Sequence, residues 1–213
     1  MGKKFELTND FIINELGIKL YRIKALKDFY GVGKGDLGGY IKQESNLSQF
    51  GNAWVSGNAQ VFGNALIYGN AQVSVNARVC YNARVSGNAR VTDNAIVSGN
   101  ARVYSCAVVS DNARVFGYAF IYGHSIVCGN SCVSENAVVS DNAWVHGRSH
   151  VYGDSQVYGN ACIYDNACVY DNACVCGYSQ VYGDARVYGD AIVSGDKRVF
   201  GTINYTNEER GAK

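Results

Sequence analysis

The chain has 213 residues, a formal net charge of +1, eight cysteines and no proline. So small a charge gives no bulk attraction to nucleic acid or an anionic membrane, and no apolar run approaches the ~18 residues that mark a membrane-spanning helix. Met1-Gly2-Lys3-Lys4 leads straight into Phe5-Glu6-Leu7 with no signal-peptide pattern, so a cytoplasmic chain with no membrane partner is expected. No two cysteines lie 18 residues apart, so none is placed to bridge elements stacked at that period. Reduced thiols fit that compartment.

Residues 1–38 do not repeat. Lys4 to Leu7 and Lys19 to Leu26 read as short strands joined through Asn14-Glu15-Leu16-Gly17. The glycines around Lys34 resemble a phosphate loop only superficially. Asp28 stands where that motif needs its first Gly, and Gly35 where Ser or Thr should follow the Lys. Ile41 and Leu47 begin a six-residue beat, and Gln49-Phe50 add two residues that make one corner bulge.

From residue 53 to residue 200 the chain is one phrase, A-x-V-x-G-N, repeated without a gap. Aliphatic residues recur every sixth position from Val55 to Val199, 25 in all. Two residues before each stands Ala, or Ser at Ser125, Ser131, Ser149, Ser155 and Ser179, with one break at Lys197. Residues two apart on a strand share a face. Gly-Asn and Asp-Asn pairs are turn chemistry, since these residues tolerate positive φ. Each phrase is therefore a short strand and a corner, and three phrases close a triangular coil of about 18 residues. Residue i then stacks on residue i+18 at about 4.8 Å. The interior is narrow, which selects Ala and Val, and the lack of proline suits a chain in which nearly every amide donates. An open coil end must be covered, so residues 1–38 are expected to form a β cap. The solenoid is expected to span 39–203, and 204–213 to be a polar tail.

These phrases resemble the hexapeptide repeat of left-handed parallel β-helix proteins, many of which are acyltransferases. Leu20 to Leu26, Gly35 to Ser48 and Gly51 to Val55 resemble more specifically the YdcK-type β-solenoid family. Its members are usually catalogued as candidate acetyltransferases or as phage-associated proteins of unknown activity. The resemblance implies an all-β fold, a single left-handed parallel β-helix with a small N-terminal cap. The hand comes from the resemblance alone, because parallel crossovers are otherwise right-handed. It also implies a homo-oligomer, with a trimer as the first expectation, and acetyl-CoA as the cofactor if the chain is an acetyltransferase. Two features common in such acyltransferases are missing. No phrase after Val55 is lengthened into a covering loop, and no C-terminal helix is evident.

Outward positions stack in columns. Ser56, Ser74, Thr92 and Ser110 give way to Tyr164, Tyr182 and Phe200, while Tyr152, Tyr170 and Tyr188 form another column. Val108, Ile126 and Trp144 line one side of a corner and Phe120 and Val138 the other, an apolar patch expected to mediate self-association. Residues 75–115 carry five Arg against two Asp, net +3, and residues 135–196 carry two Arg against eight acids, net −6. An anionic ligand would therefore favour Arg84 and Arg102, and with Trp144 these are the candidate cofactor-binding residues.

His124, His146 and His150 each follow a cysteine (Cys106, Cys128, Cys132) by 18 residues. Cys132, His150 and Cys168 form a column, but neighbours about 4.8 Å apart place its ends too far apart for metal bonds of about 2.0–2.3 Å, and no metal is expected. A histidine could take the proton of an acyl acceptor. The candidates are His146, then His124, then His150. A rigid binding or scaffolding module is the leading expectation. An acyl-CoA-dependent acetyltransferase and a phage-type trap for a nucleotide or host factor are the alternatives.

Overall fold

The computed structural model describes residues 2–201 and the backbone strand Asn204–Tyr205. It is a parallel β-solenoid with three flat faces. Each coil contributes a two-residue strand to each face, and each strand pairs with the one 18 residues on, as Arg90 does with Val108 and Val108 with Ile126. The first face begins at Gln60–Val61, the second at Leu66–Ile67 and the third at Trp54–Val55. Backbone amides bond along the axis, for example Arg90 N to the Ala107 carbonyl at 2.9 Å and Thr92 N to that of Val109 at 3.0 Å. Among the described residues there is no α-helix, and none long and apolar enough to cross a membrane.

The alternation in the phrase produces the core. Ala and Val point inward and are fully buried, and so are the five serines in the Ala position. Those hydroxyls do not go unpaired. Ser125, Ser131, Ser149 and Ser155 each donate to the carbonyl three residues back at 2.7–2.8 Å, which removes the cost of burying them. Lys197, the break in the series, is exposed.

Every corner turns at its first residue, where φ is near +60 to +75°. Nine of these residues are not glycine, and Val75 (φ 64°) is the β-branched one among them. That conformation presses Cβ against the following carbonyl at a cost of about 1–2 kcal/mol. The Val75 side chain is exposed and buries little in return. Replacing it with Asn, which tolerates this region, is expected to raise stability by about 1 kcal/mol; an unfolding midpoint at or below the parent's would contradict this.

The acidic corner residues have a structural role that net charge conceals. Asp111, Glu135, Asp141, Asp165 and Asp171 each accept a hydrogen bond from the corner amide one coil on, at 2.9–3.2 Å. Asp154, Asp184 and Asp190 accept from the side-chain amides of Asn136, Asn166 and Asn172. Seven of the eight acids of residues 135–196 thus stitch coils together. In the first half, asparagine ladders do the same work, Asn52 to Asn70 to Asn88 at 3.0 Å per step.

The N-terminal segment closes one end. Strand β1 (Phe5–Ile13) pairs antiparallel with β2 (Lys19–Ala25), and β2 with β3 (Leu37–Ile41), which then runs parallel to Gln60–Val61. The antiparallel strands thus occupy the first face's open edge. β1 continues to Ile13, past the expected end at Leu7, through a register shift between Leu7 and Phe11. Arg78 holds the β1–β2 turn by a bidentate pair with Glu15 at 2.6 and 2.9 Å, so one arginine of the basic half is already neutralised. At the other end Asn204–Tyr205 pairs parallel with Arg186–Val187, extending strand pairing into the segment expected to be tail. The remainder of that expected tail, from residue 206, lies outside the described residues.

Lys4 is buried beneath the cap. Its Nζ donates to the Ala53 carbonyl at 2.8 Å and lies 5.3 Å from the Phe29 ring centre. Burial, with the nearby Lys27 charge, lowers its pKa to about 8. Between about 8 and the unfolded value near 10.4, the unfolded chain binds the extra proton, so this group makes stability rise with pH. Below that window the cost of holding the ammonium is fully present. Urea unfolding of wild type and Lys4→Met at pH 7.5 and 10 is expected to show wild type gaining on the variant at high pH; parallel pH responses would contradict the assignment.

Candidate functional site

The third face carries the apolar run. Val108, Ile126 and Trp144 stack on consecutive coils at the outward position before the buried valines. Trp144 is 46% and Ile126 36% exposed, whereas Val108 is half-buried. Phe120 and Val138 stack on the second face and are also half-buried. The Arg102 guanidinium lies 5.3 Å from the Phe120 ring centre. Of these five only Ile126 and Trp144 are exposed, so the expected patch is narrower than its column positions imply. His124 sits exposed at the corner between the two faces.

Trp144 is held in place. Its indole Nε1 donates to Cys128 Sγ at 3.3 Å, and its ring lies 4.8 Å from that of His146. Tyr164, one coil on, stacks on His146 at 5.2 Å, nearly parallel, and His146 Nε2 meets Cys162 Sγ at 3.5 Å. Burial lowers its pKa, with Asp165 opposing. This imidazole is a member of an aromatic column that continues through Tyr182 and Phe200. With one ring face stacked and Nε2 against a thiol, the half-buried His146 is less open to an acyl acceptor than the exposed His124 and His150. His150 is exposed on the first face, paired with Cys132 on one side and Cys168 on the other. Burial raises the pKa values of both thiols, which disfavours the thiolate form that metal binding and nucleophilic attack require. Among the described residues no group of three His, Cys, Asp or Glu side chains is placed to hold a metal ion.

The tyrosine columns are stacks. Tyr152 lies 5.0 Å from Tyr170, Tyr170 5.2 Å from Tyr188 and Tyr164 4.9 Å from Tyr182, within 10° of parallel. Their faces are used by one another, leaving edges for solvent. They brace the coils, at about 0.5–1.5 kcal/mol per pair, and offer no open ring face along the column.

Arg84 and Arg102 pair directly across adjacent coils and border a cavity of about 240 Å³ with Tyr68, Ser86, Tyr104 and Phe120. A larger cavity, about 460 Å³, lies at the capped end of the third face, where Tyr30 overhangs Gln72 and Arg90. Sequence reasoning missed it, because residue 30 belongs to the non-repeating segment. Only the tight Phe29–Val32 hairpin brings it over the coils.

The YdcK beta solenoid repeat matches three stretches, residues 59–75, 83–99 and 179–195. All three lie in the coils and omit the cap. No curated protein matches the chain. Together with the stacking of 18-residue coils in parallel register on three faces, eight or more strands deep on each among the described residues, this makes the chain a parallel β-solenoid carrying the YdcK-type repeat.

Proposed function

We propose that this chain is a rigid binding and scaffolding module that self-associates through its third face. One observation carries the reading: Ile126 and Trp144 stand exposed on adjacent coils of a flat sheet, with Trp144 fixed by Cys128 and His146. A pre-positioned aromatic beside an aliphatic residue on a surface that need not rearrange is a good interface anchor. A second copy is the occupant, and the family resemblance favours a trimer. Eight free cysteines suit a reducing, cytoplasmic setting. Sedimentation of the purified chain and its Trp144→Ser variant tests the reading.

A second reading rests on Arg84 and Arg102. Like charges directly opposite on neighbouring strands repel, and among the described residues no carboxylate lies within ion-pair distance of either. A phosphorylated ligand such as a nucleotide would relieve that repulsion, the activity of a phage-type trap. Acetyl transfer draws less support. His146 is half-buried against Tyr164, among the described residues no carboxylate pairs with His124 or His150, and every phrase from Val55 to Val199 keeps six residues, so no segment leaves the coils there to cover a cofactor.

A further inference from the structure

The cavity at the capped end of the third face has a chemistry of its own. Its outer wall is the hairpin tip, where Tyr30 is 79% exposed. That hairpin is fixed. Phe29 and Val32 exchange backbone hydrogen bonds at 3.0 and 2.7 Å, Asp28 and Asp36 side chains accept from Lys34 N and Gly33 N at 2.7 Å, and Phe29 packs edge-on against the buried Trp54 at 5.4 Å. The floor is the first coils of the third face, with Gln72 and Arg90 on paired strands. Unlike the tyrosines of the columns, Tyr30 stacks on no other ring among the described residues.

The polar lining is mostly neutral and bifunctional. Asn70 accepts from Asn52 and donates to Asn88 at 3.0 Å, and Asn88 donates weakly to Cys106 Sγ at 3.9 Å; each keeps one further N–H and one further carbonyl lone pair. Gln72 donates Nε2 to the Asn52 carbonyl at 3.2 Å, and its own carbonyl oxygen accepts nothing from the described residues. Arg90 is exposed, with no carboxylate in ion-pair range among the described residues. The volume falls within the range of about 300–1,000 Å³ of small-molecule pockets.

We propose that this cavity binds an acidic saccharide, a pyranose ring bearing a carboxylate. Paired donors and acceptors on side-chain amides match vicinal hydroxyls, which also donate and accept. An open tyrosine face matches the C–H face of a pyranose. A single guanidinium matches one carboxylate through two parallel hydrogen bonds. A phosphate would call for more cationic groups, as at Arg84 and Arg102. The site lies apart from the Ile126–Trp144 surface, so it stands whether or not the chain self-associates.

Calorimetric titration with methyl glycosides of galacturonate, glucuronate and N-acetylneuraminate, and with neutral methyl galactoside, tests the proposal. At least one acid is expected to bind saturably, at least tenfold tighter than the neutral sugar. Arg90→Gln should erase that preference. Tyr30→Ala should weaken binding at least tenfold, while Arg84→Gln, in the other cavity, leaves it unchanged. Both target residues are exposed, and unchanged melting temperatures would show the variants folded. Absence of saturable heat with all three acids at millimolar concentration would overturn the proposal. So would binding indifferent to Tyr30→Ala and Arg90→Gln, or equally weakened by Arg84→Gln.

Discussion

Val145→Asp is expected to abolish folding of the central coils, while Trp144→Ser, one residue earlier, leaves the fold intact. Val145 is fully buried and stacks between Val127 and Ile163. A carboxylate there would sit in a core of Val, Ile and Ala, where the buried Ser131 and Ser149 hydroxyls already donate to backbone carbonyls. Losing the valine forfeits about 1.5–3 kcal/mol of burial, and an unpaired buried charge costs several kcal/mol more. That sum is comparable with the whole stability of a typical domain, about 5–15 kcal/mol. The solenoid geometry adds to the damage, because each coil is held only by its two neighbours; a broken coil in the middle separates the two halves. Trp144 points the other way. Its removal forfeits ring contact with His146 and one bond to Cys128, an expected loss of about 1 kcal/mol. Far-ultraviolet circular dichroism and urea unfolding check the pair. Similar losses at both positions would mean that the in–out alternation is not what holds the coils.

The second large effect concerns assembly. Trp144→Ser and Ile126→Asp are each expected to weaken self-association at least tenfold, or 1.4 kcal/mol, because truncating an exposed anchor typically costs 2 kcal/mol or more in an interface. His150→Ala, on the first face, is expected to leave assembly unchanged. Equal effects of all three substitutions would point to general destabilisation in place of a defined surface.

The fold was legible because one period governs most of the chain. Six-residue spacing of Val55, Val61 and Ile67 is enough to dictate strand, corner, three faces and the stack at i+18, and the pairings Cys132–His150–Cys168 and Val108–Ile126–Trp144 follow from it arithmetically. Whatever depends on where a side chain bends within its column was not legible. Asp165 and Asp171 read as surface charge, yet they accept amides one coil away. His146 read as a free proton acceptor, yet Tyr164 of the next coil stacks on its ring and Cys162 Sγ meets its Nε2. Tyr152 and Tyr170 could have offered ring faces, but 5.0 Å stacking removes them. The non-repeating end was least legible. β1 runs past the polar Thr8-Asn9-Asp10 by slipping register, and the placement of Tyr30 over Gln72 and Arg90 joins residues that share no period.

Sedimentation equilibrium of the wild-type chain over the micromolar range tests the central claim most directly. Self-association through the third face predicts a mass that rises with concentration from 23.0 kDa toward three times that value, and a Trp144→Ser variant that stays at the lower mass under the same conditions. A single 23.0 kDa species at every concentration, or an assembly that Trp144→Ser leaves unchanged, would contradict it.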